Sequence, residues 1–166
     1  MSAKGIDLKA FMNQQYLCES LTLKEVETLL EYTELASYTK GDVIAEAGEV
    51  GETLYFVVKG EAALLFDDHD HVMEVGVMKE GELMGEMSFF DRQPRMLQMR
   101  ATAADTQLLK LSRAKYKRLR VEHPYIAVNL LEHAIISLDH LVRRLSTEEI
   151  NLSRYIYGPR QTLSDY

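Results

Sequence analysis

The sequence predicts an α+β fold, mainly β: an antiparallel β-roll or jelly-roll with N-terminal helices before it and a long C-terminal helix after it. Three observations carry this. Residues about 35–113 hold short apolar runs broken by glycines from Gly41 to Gly85, most of them beside Asp, Glu or Lys, the pattern of short antiparallel strands and tight turns. Upstream, Thr22 and Glu25 have capping-box spacing ahead of an apolar-periodic run. Downstream, Pro124 opens a run whose apolar residues recur at gaps of three and four.

In chain order, residues 1–34 read as N-terminal helices. "LKEVETLLEY" places Val26, Leu29 and Leu30 on one face, and "LKAFMNQQYL" is a weaker helix before it. Residues 35–113 read as the roll. "TLYFVVKG" is its firmest strand, aromatic and β-branched, ended by Gly60; "TQLLKL" at 106–111 is a closing strand. "FDDHDHV" reads as a hydrated hairpin tip. His69 and His71 there have no third ligand placed by spacing, so no metal site is expected. Residues 114–150 read as C-terminal helices: "SRAKYKRLRVEH", interrupted at Pro124, then a long helix to about 150. Ala127, Leu131, Ala134, Leu138, Leu141 and Leu145 form a heptad seam that predicts dimerisation. A second row, Leu130, Ile135 and Val142, lies beside it, so one stripe can face the roll and the other a partner helix. The histidines at 123, 133 and 140 carry no haem-ligand motif. Residues 151–166 read as a loose tail stopped by Gly158-Pro159.

Composition narrows the functional classes. The chain has 166 residues, is 46% hydrophobic and carries a net charge of −7, enough for one domain with a core. The acidic balance disfavours nucleic acid and anionic lipid as partners. The sequence shows neither an uninterrupted apolar span nor a secretory leader, and Cys18 is its one cysteine, so a cytoplasmic protein without disulfides or a Cys-based metal site is expected. No nucleophile–base pair, metal cluster or P-loop marks an enzyme, and no cofactor is expected.

One segment departs from plain core. "GEMSFFDRQPRML", residues 85–97, is apolar yet holds Glu86 and, nine positions on, Arg95. An arginine stays charged when partly desolvated and offers two parallel N–H bonds to a phosphate. A carboxylate suits a donating hydroxyl. The residues also allow a plainer reading, in which Glu86 and Arg95 pair with each other and hold the segment together.

This segment resembles the phosphate-binding cassette of the cyclic-nucleotide-binding domain family, the type found in the catabolite activator and kinase regulatory subunits. "YTKGDVIAEAGEVGETLYFVVKGEAAL" is similar to that family's early strands, and "LSRAKYKRLRVEHPYIAVNLLEHAIISLDHLVRRLS" to its closing helices. The resemblance covers about residues 20–148. It implies that Glu86 takes the ribose 2′-hydroxyl and Arg95 the cyclic phosphate, with Gly85 and Met87 offering backbone groups and Ser88 at a position that is small in the family. The ligand it implies is cyclic AMP or cyclic GMP. Met96 and Leu97 depart from the small residues usual after the arginine, and Met96 is expected to obstruct the pocket in part. The function expected is a stand-alone, cytoplasmic regulatory or sensor module, a homodimer that can signal to a separate effector protein. The alternative is a degenerate pocket whose fold serves only protein interaction and dimerisation. A transcription regulator fits less well, because about 16 residues remain after Ile150, too few for a three-helix DNA-binding domain.

Overall fold

The computed structural model describes residues 6–157. Two short helices, α1 (Leu8–Gln14) and α2 (Leu23–Glu31), flank a 3₁₀ turn at Tyr16–Ser20. Asp7 caps α1 through Lys9 and Ala10 N–H. The Thr22–Glu25 capping box of α2 forms in both directions. Eight strands follow: β1 (Glu34–Tyr38), β2 (Val43–Ala45), β3 (Thr53–Lys59), β4 (Glu61–Asp67), β5 (Val72–Lys79), β6 (Leu83–Met84), β7 (Gln98–Ala101) and β8 (Thr106–Ser112). A short helix, α3 (Glu86–Asp91), separates β6 from β7, and α4 (Arg113–Glu122) and α5 (Pro124–Tyr157) close the chain. The strands form two antiparallel sheets of four, ordered β1-β8-β3-β6 and β2-β7-β4-β5.

The central strands of the first sheet, β3 and β8, are buried on both faces, which explains why they read as near-continuous apolar runs. On β3, Leu54 and Phe56 face a core shared with the helices, while Tyr55 and Val57 face the interior of the roll. Its partner β8 splits the same way: Leu109 and Leu111 go to the helical side and Leu108 to the roll. Cys18 lies in the helical core, where burial pushes its thiol up to about 11. The "DDHDH" stretch is the exposed tip of the β4–β5 hairpin, with His69 in the left-handed region.

Helix α5 continues to Tyr157, past the expected end near 150, because no Pro or Gly stands before Gly158-Pro159. The rest of the expected loose tail, 158–166, lies outside the described residues. By length and composition Pro124–Glu148 could also cross a bilayer, and only a third of its most apolar window is buried. Ile126, Ala127, Leu130 and Ala134 pack into the helical core, while Glu132 and Asp139 stand on the exposed side. Burying side chains such as Ile126 and Leu130 contributes about 1.5–3 kcal/mol each.

That packing corrects the predicted seam. Ala127 and Ala134 are enclosed by the chain's own core and cannot meet a partner. The stripe left outward is Val128, Leu131, Ile135, Leu138, Val142 and Leu145, again at gaps of three and four. Leu131 and Leu138 are half-buried at its edge, and the other four are exposed. Leu131, Leu138 and Leu145 belong to both stripes, whereas Ala127 and Ala134 turn inward with Ile126 and Leu130, so the outward positions between the leucines are Val128, Ile135 and Val142.

Candidate functional site: the β6–β7 cassette and the face of α5 above it

The cassette begins at Gly85, whose φ of +85° turns the chain from β6 into α3. A side chain there would meet the Thr53 carbonyl oxygen at 3.1 Å, so both backbone angle and space favour glycine. Helix α3 ends at Asp91, where Arg92 takes a left-handed cap and Asp91 Oδ1 accepts the Gln93 N–H at 2.8 Å. The return segment is then pinned to the β2–β3 loop. Val50 bridges Pro94, the Arg95 N–H donates to the Glu49 carbonyl at 2.9 Å, and the Gly48 N–H donates to the Arg95 carbonyl at 2.7 Å.

Gly51 is where loop and cassette meet. Its N–H donates to Ser88 Oγ at 2.6 Å, and the Ser88 hydroxyl in turn donates to the Gln93 carbonyl. Its carbonyl accepts from Arg113 Nη2 at 2.6 Å. A Cβ at Gly51 would lie 3.0 Å from the Phe89 amide nitrogen and 3.1 Å from Arg95 Nη2. The Arg95 guanidinium therefore rests against bare backbone. Its Nε is buried, and among the described residues it has no hydrogen-bond partner. Tyr55 is close by: burial pushes its phenol up, and the Arg95 charge partly offsets this.

Glu86 points elsewhere. It is 6% exposed and accepts a hydrogen bond from Ser137 of α5 at 3.2 Å. Burial pushes its carboxyl above the ordinary carboxylate range, opposed by its own backbone N–H and by the Ser137 hydroxyl. The plainer expectation of a Glu86–Arg95 pair is thus corrected. Among the described residues these two form no ion pair, because Glu86 faces α5 while Arg95 folds back over Gly51. The result is a half-buried cation with a buried Nε beside backbone and, separately, a buried acceptor beneath a helix.

The other predicted residues divide. Ser88 is buried and organises the loop. The Met87 side chain is exposed, leaving only its backbone toward the cassette. Met96 is 76% exposed, so it does not fill the space beside Arg95. The expected obstruction is not what the structure shows: Leu97 turns into the roll core and alternation sends Met96 to solvent. Sequence reasoning missed Gly51, Tyr55 and Ser137, whose roles depend on contacts across 37 to 51 positions of chain. It also missed a groove of about 350 Å³ between β5–β6 and α5, walled by Met78, Leu83, Ile136 and Leu141 and bordered by Ser137. The cassette is fastened to the helices by Phe89, which packs edge-on to Tyr116 at 5.5 Å with the Arg113 guanidinium 4.5 Å over its ring.

Comparisons with known proteins bear on the fold and the family. The chain is 30% identical over 113 residues to the cAMP-activated global transcriptional regulator Vfr of Pseudomonas aeruginosa, covering 65% of this chain and 52% of that protein. It is 27% identical over 112 residues to the cAMP-dependent protein kinase regulatory subunit of Blastocladiella emersonii, covering 67% and 28%. The chain spans about half the length, or less, of such curated relatives. Among solved structures, the Thermus thermophilus catabolite activator protein superposes with a TM-score of 0.64 at 30% identity, over 82% of this chain and 61% of that one. A cyclic nucleotide-binding domain from Methylobacillus flagellatus shares the fold, with a TM-score of 0.67 at 21% identity over 96% and 86%. The family model described as the cyclic nucleotide-binding domain matches residues 35–123, more than half of the sequence, and the chain belongs to that family.

Proposed function

We propose that this protein is a regulatory module that binds a cyclic nucleotide, with Arg95 holding the phosphate and Glu86 the ribose hydroxyl. The observation that carries the reading is the Arg95 guanidinium, whose buried Nε has no hydrogen-bond partner among the described residues and which lies against the bare backbone of Gly51. A buried donor without a partner costs about 1–3 kcal/mol, and an anionic phosphate would remove that cost. The relatives described as cAMP-activated support the same ligand class. The role is one of binding rather than catalysis.

Signalling in this reading runs through α5. Ligand at Glu86 competes with or completes the Ser137 contact, and Phe89 ties the cassette to α4. A nucleotide that favours one arrangement shifts the population toward it. The outward stripe has Val128, Ile135 and Val142 at one heptad position and Leu131, Leu138 and Leu145 at the other. β-Branched residues alternating with leucine in this way favour a parallel two-stranded coiled coil, so the module acts as a homodimer whose paired α5 helices report the ligand to an effector protein.

A thermal-shift series with cyclic AMP, cyclic GMP and cyclic dinucleotides tests the ligand class. Ligand at 100 times its dissociation constant stabilises by about 2.7 kcal/mol, a clear rise in Tm. No shift with any of them at millimolar concentration leaves the pocket degenerate and the reading wrong.

A further inference from the structure

Helix α4 carries a charge pattern that packing does not explain. The chain as a whole is acidic, with 26 Asp and Glu against 19 Lys and Arg. Yet residues 113–120, "RAKYKRLR", hold five cations and no acid. We propose that the exposed face of α4 is a docking surface for an acidic segment of an effector protein, one that also carries an apolar residue. The inference deepens the regulatory reading above and rests on it for the existence of an effector; the docking itself is measured without nucleotide.

Three observations support it. First, the cations are placed where an isolated helix disfavours them. Arg113–Lys117, Lys115–Arg118 and Lys117–Arg120 are like-charge pairs three or four residues apart, and the first turn holds no acid to match the helix dipole. Second, much of this charge is unanswered. Arg113 is held by Glu52 at 2.8 Å and Arg118 by Glu122 at 3.0 Å, but among the described residues Lys115, Lys117 and Arg120 form no ion pair. Glu122, the one acid on α4, is committed to Arg118 and to the Tyr32 hydroxyl. Third, the outward stripe ends in an apolar residue. Tyr116 and Leu119 are the buried side, so Ala114, Lys117, Arg118 and Val121 share the opposite face. Val121 is 77% exposed there.

These features fit an acidic peptide better than a polyanion. Glutamates on such a segment meet Lys117 and Arg120 with charge-assisted bonds, relieve the like-charge pairs, and bring an apolar side chain over Val121. Beside Lys115, a pocket of about 120 Å³ bordered by Lys110, Ser112 and Thr53 has room for one carboxylate side chain; Glu34 also borders it. DNA or an anionic bilayer needs a broad basic surface, and the net charge of −7 opposes both. The surface is also tied to the cassette. Helix α4 begins at Arg113, which donates to the Gly51 carbonyl and lies over the Phe89 ring, so a partner on α4 rests on the helix that the cassette anchors.

The test is fluorescence anisotropy of the full chain with a labelled peptide of glutamate and leucine, a length-matched peptide of glutamate alone and a labelled DNA duplex, with sedimentation of phosphatidylserine vesicles alongside. The glutamate–leucine peptide is expected to bind saturably, with a Kd below about 1 mM, and the glutamate peptide about threefold or more weaker. Lys117→Glu with Arg120→Glu is expected to weaken the first peptide about tenfold or more. Val121→Ser should reduce it to the level of the second. Lys40→Glu with Lys79→Glu, the same charge change outside α4, should matter far less. All these positions are exposed, so circular dichroism of the variants should match the parent. Lys117→Gln with Arg120→Gln, which reverses no charge, is expected to give an intermediate loss. Duplex or vesicles bound as tightly as the peptide make the face a polyanion or membrane surface and overturn the inference. So does a reversal on α4 that matters no more than the control. Parent self-association that the reversal abolishes makes a second copy the occupant and overturns it too. Docking in a protein that binds no cyclic nucleotide overturns only the proposed function; nucleotide binding without docking overturns only this inference, and failure of both overturns both.

Discussion

Gly51 and Arg95 fit together because Gly51 has no side chain: a Cβ there would stand 3.1 Å from Arg95 Nη2 and 3.0 Å from the Phe89 amide nitrogen. One of those neighbours is backbone and the other is the cation assigned to the phosphate. Gly51→Ala is therefore expected to lower stability by about 1–3 kcal/mol through overpacking and to weaken cyclic-nucleotide binding together with it. Urea denaturation and calorimetry on one preparation check both effects. A stable variant with unchanged affinity would show that the loop yields without moving Arg95.

Arg95 itself is expected to matter to ligand and not to fold. It has no ion-pair partner among the described residues, and its Nε is unsatisfied. Arg95→Ala should reduce affinity tenfold or more, since a charge-assisted bond contributes about 1.5–3 kcal/mol. The Tm of the empty protein should hold or rise. A sharp fall in that Tm is the outcome that contradicts a functional cation.

Glu86 gives a pH signature. Burial raises its carboxyl in the folded state above the ordinary value of 4.5, so the folded protein binds the proton more tightly than the unfolded chain. This group's contribution is most favourable below that ordinary value. It declines as pH rises from there through the raised folded value, and it is a net penalty above both. Glu86→Gln keeps an acceptor for Ser137 without the charge. It is expected to raise the Tm of the empty protein at neutral pH by roughly 2–4 °C, the shift about 1 kcal/mol gives a chain of this size, to flatten the Tm–pH curve across that window, and to weaken nucleotide binding. Parallel curves for parent and variant would remove Glu86 as the titrating group.

On α5, two neighbouring positions should separate assembly from folding. Ile135 is 65% exposed and Ala134 is 3% exposed. Ile135→Lys is expected to give a folded monomer, whereas Ala134→Leu should destabilise the fold by about 1–3 kcal/mol through overpacking. Light scattering and thermal melts distinguish the two. A monomeric parent at micromolar concentration sinks the dimer.

Met96→Ala is expected to change neither affinity nor Tm measurably, because the side chain is exposed and away from the cassette interior. Tighter binding in that variant, read by calorimetry, would restore it as a gate.

Much of this protein follows from local chemistry that the sequence displays directly. The Thr22–Glu25 box, the turn glycines around the strands, the apolar run of β3 and the proline that opens α5 each depend on residues a few positions apart, so spacing alone determines them. Glu86 and Arg95 stood out as candidates for a related reason: charged groups in an apolar segment need an explanation wherever they lie. What tertiary structure alone decided is direction. Spacing gave α5 its period, but only packing against β3, β8 and α4 decided that Ala127 and Ala134 turn inward while Ile135 and Val142 turn outward. Spacing put Met96 beside Arg95, but the Val50–Pro94 bridge and the burial of Leu97 sent its side chain to solvent. Gly51 and Ser137 came into view only with the fold, because their partners Ser88 and Glu86 are distant in sequence, and one sequence carries no local signal for contacts formed when remote elements share a core.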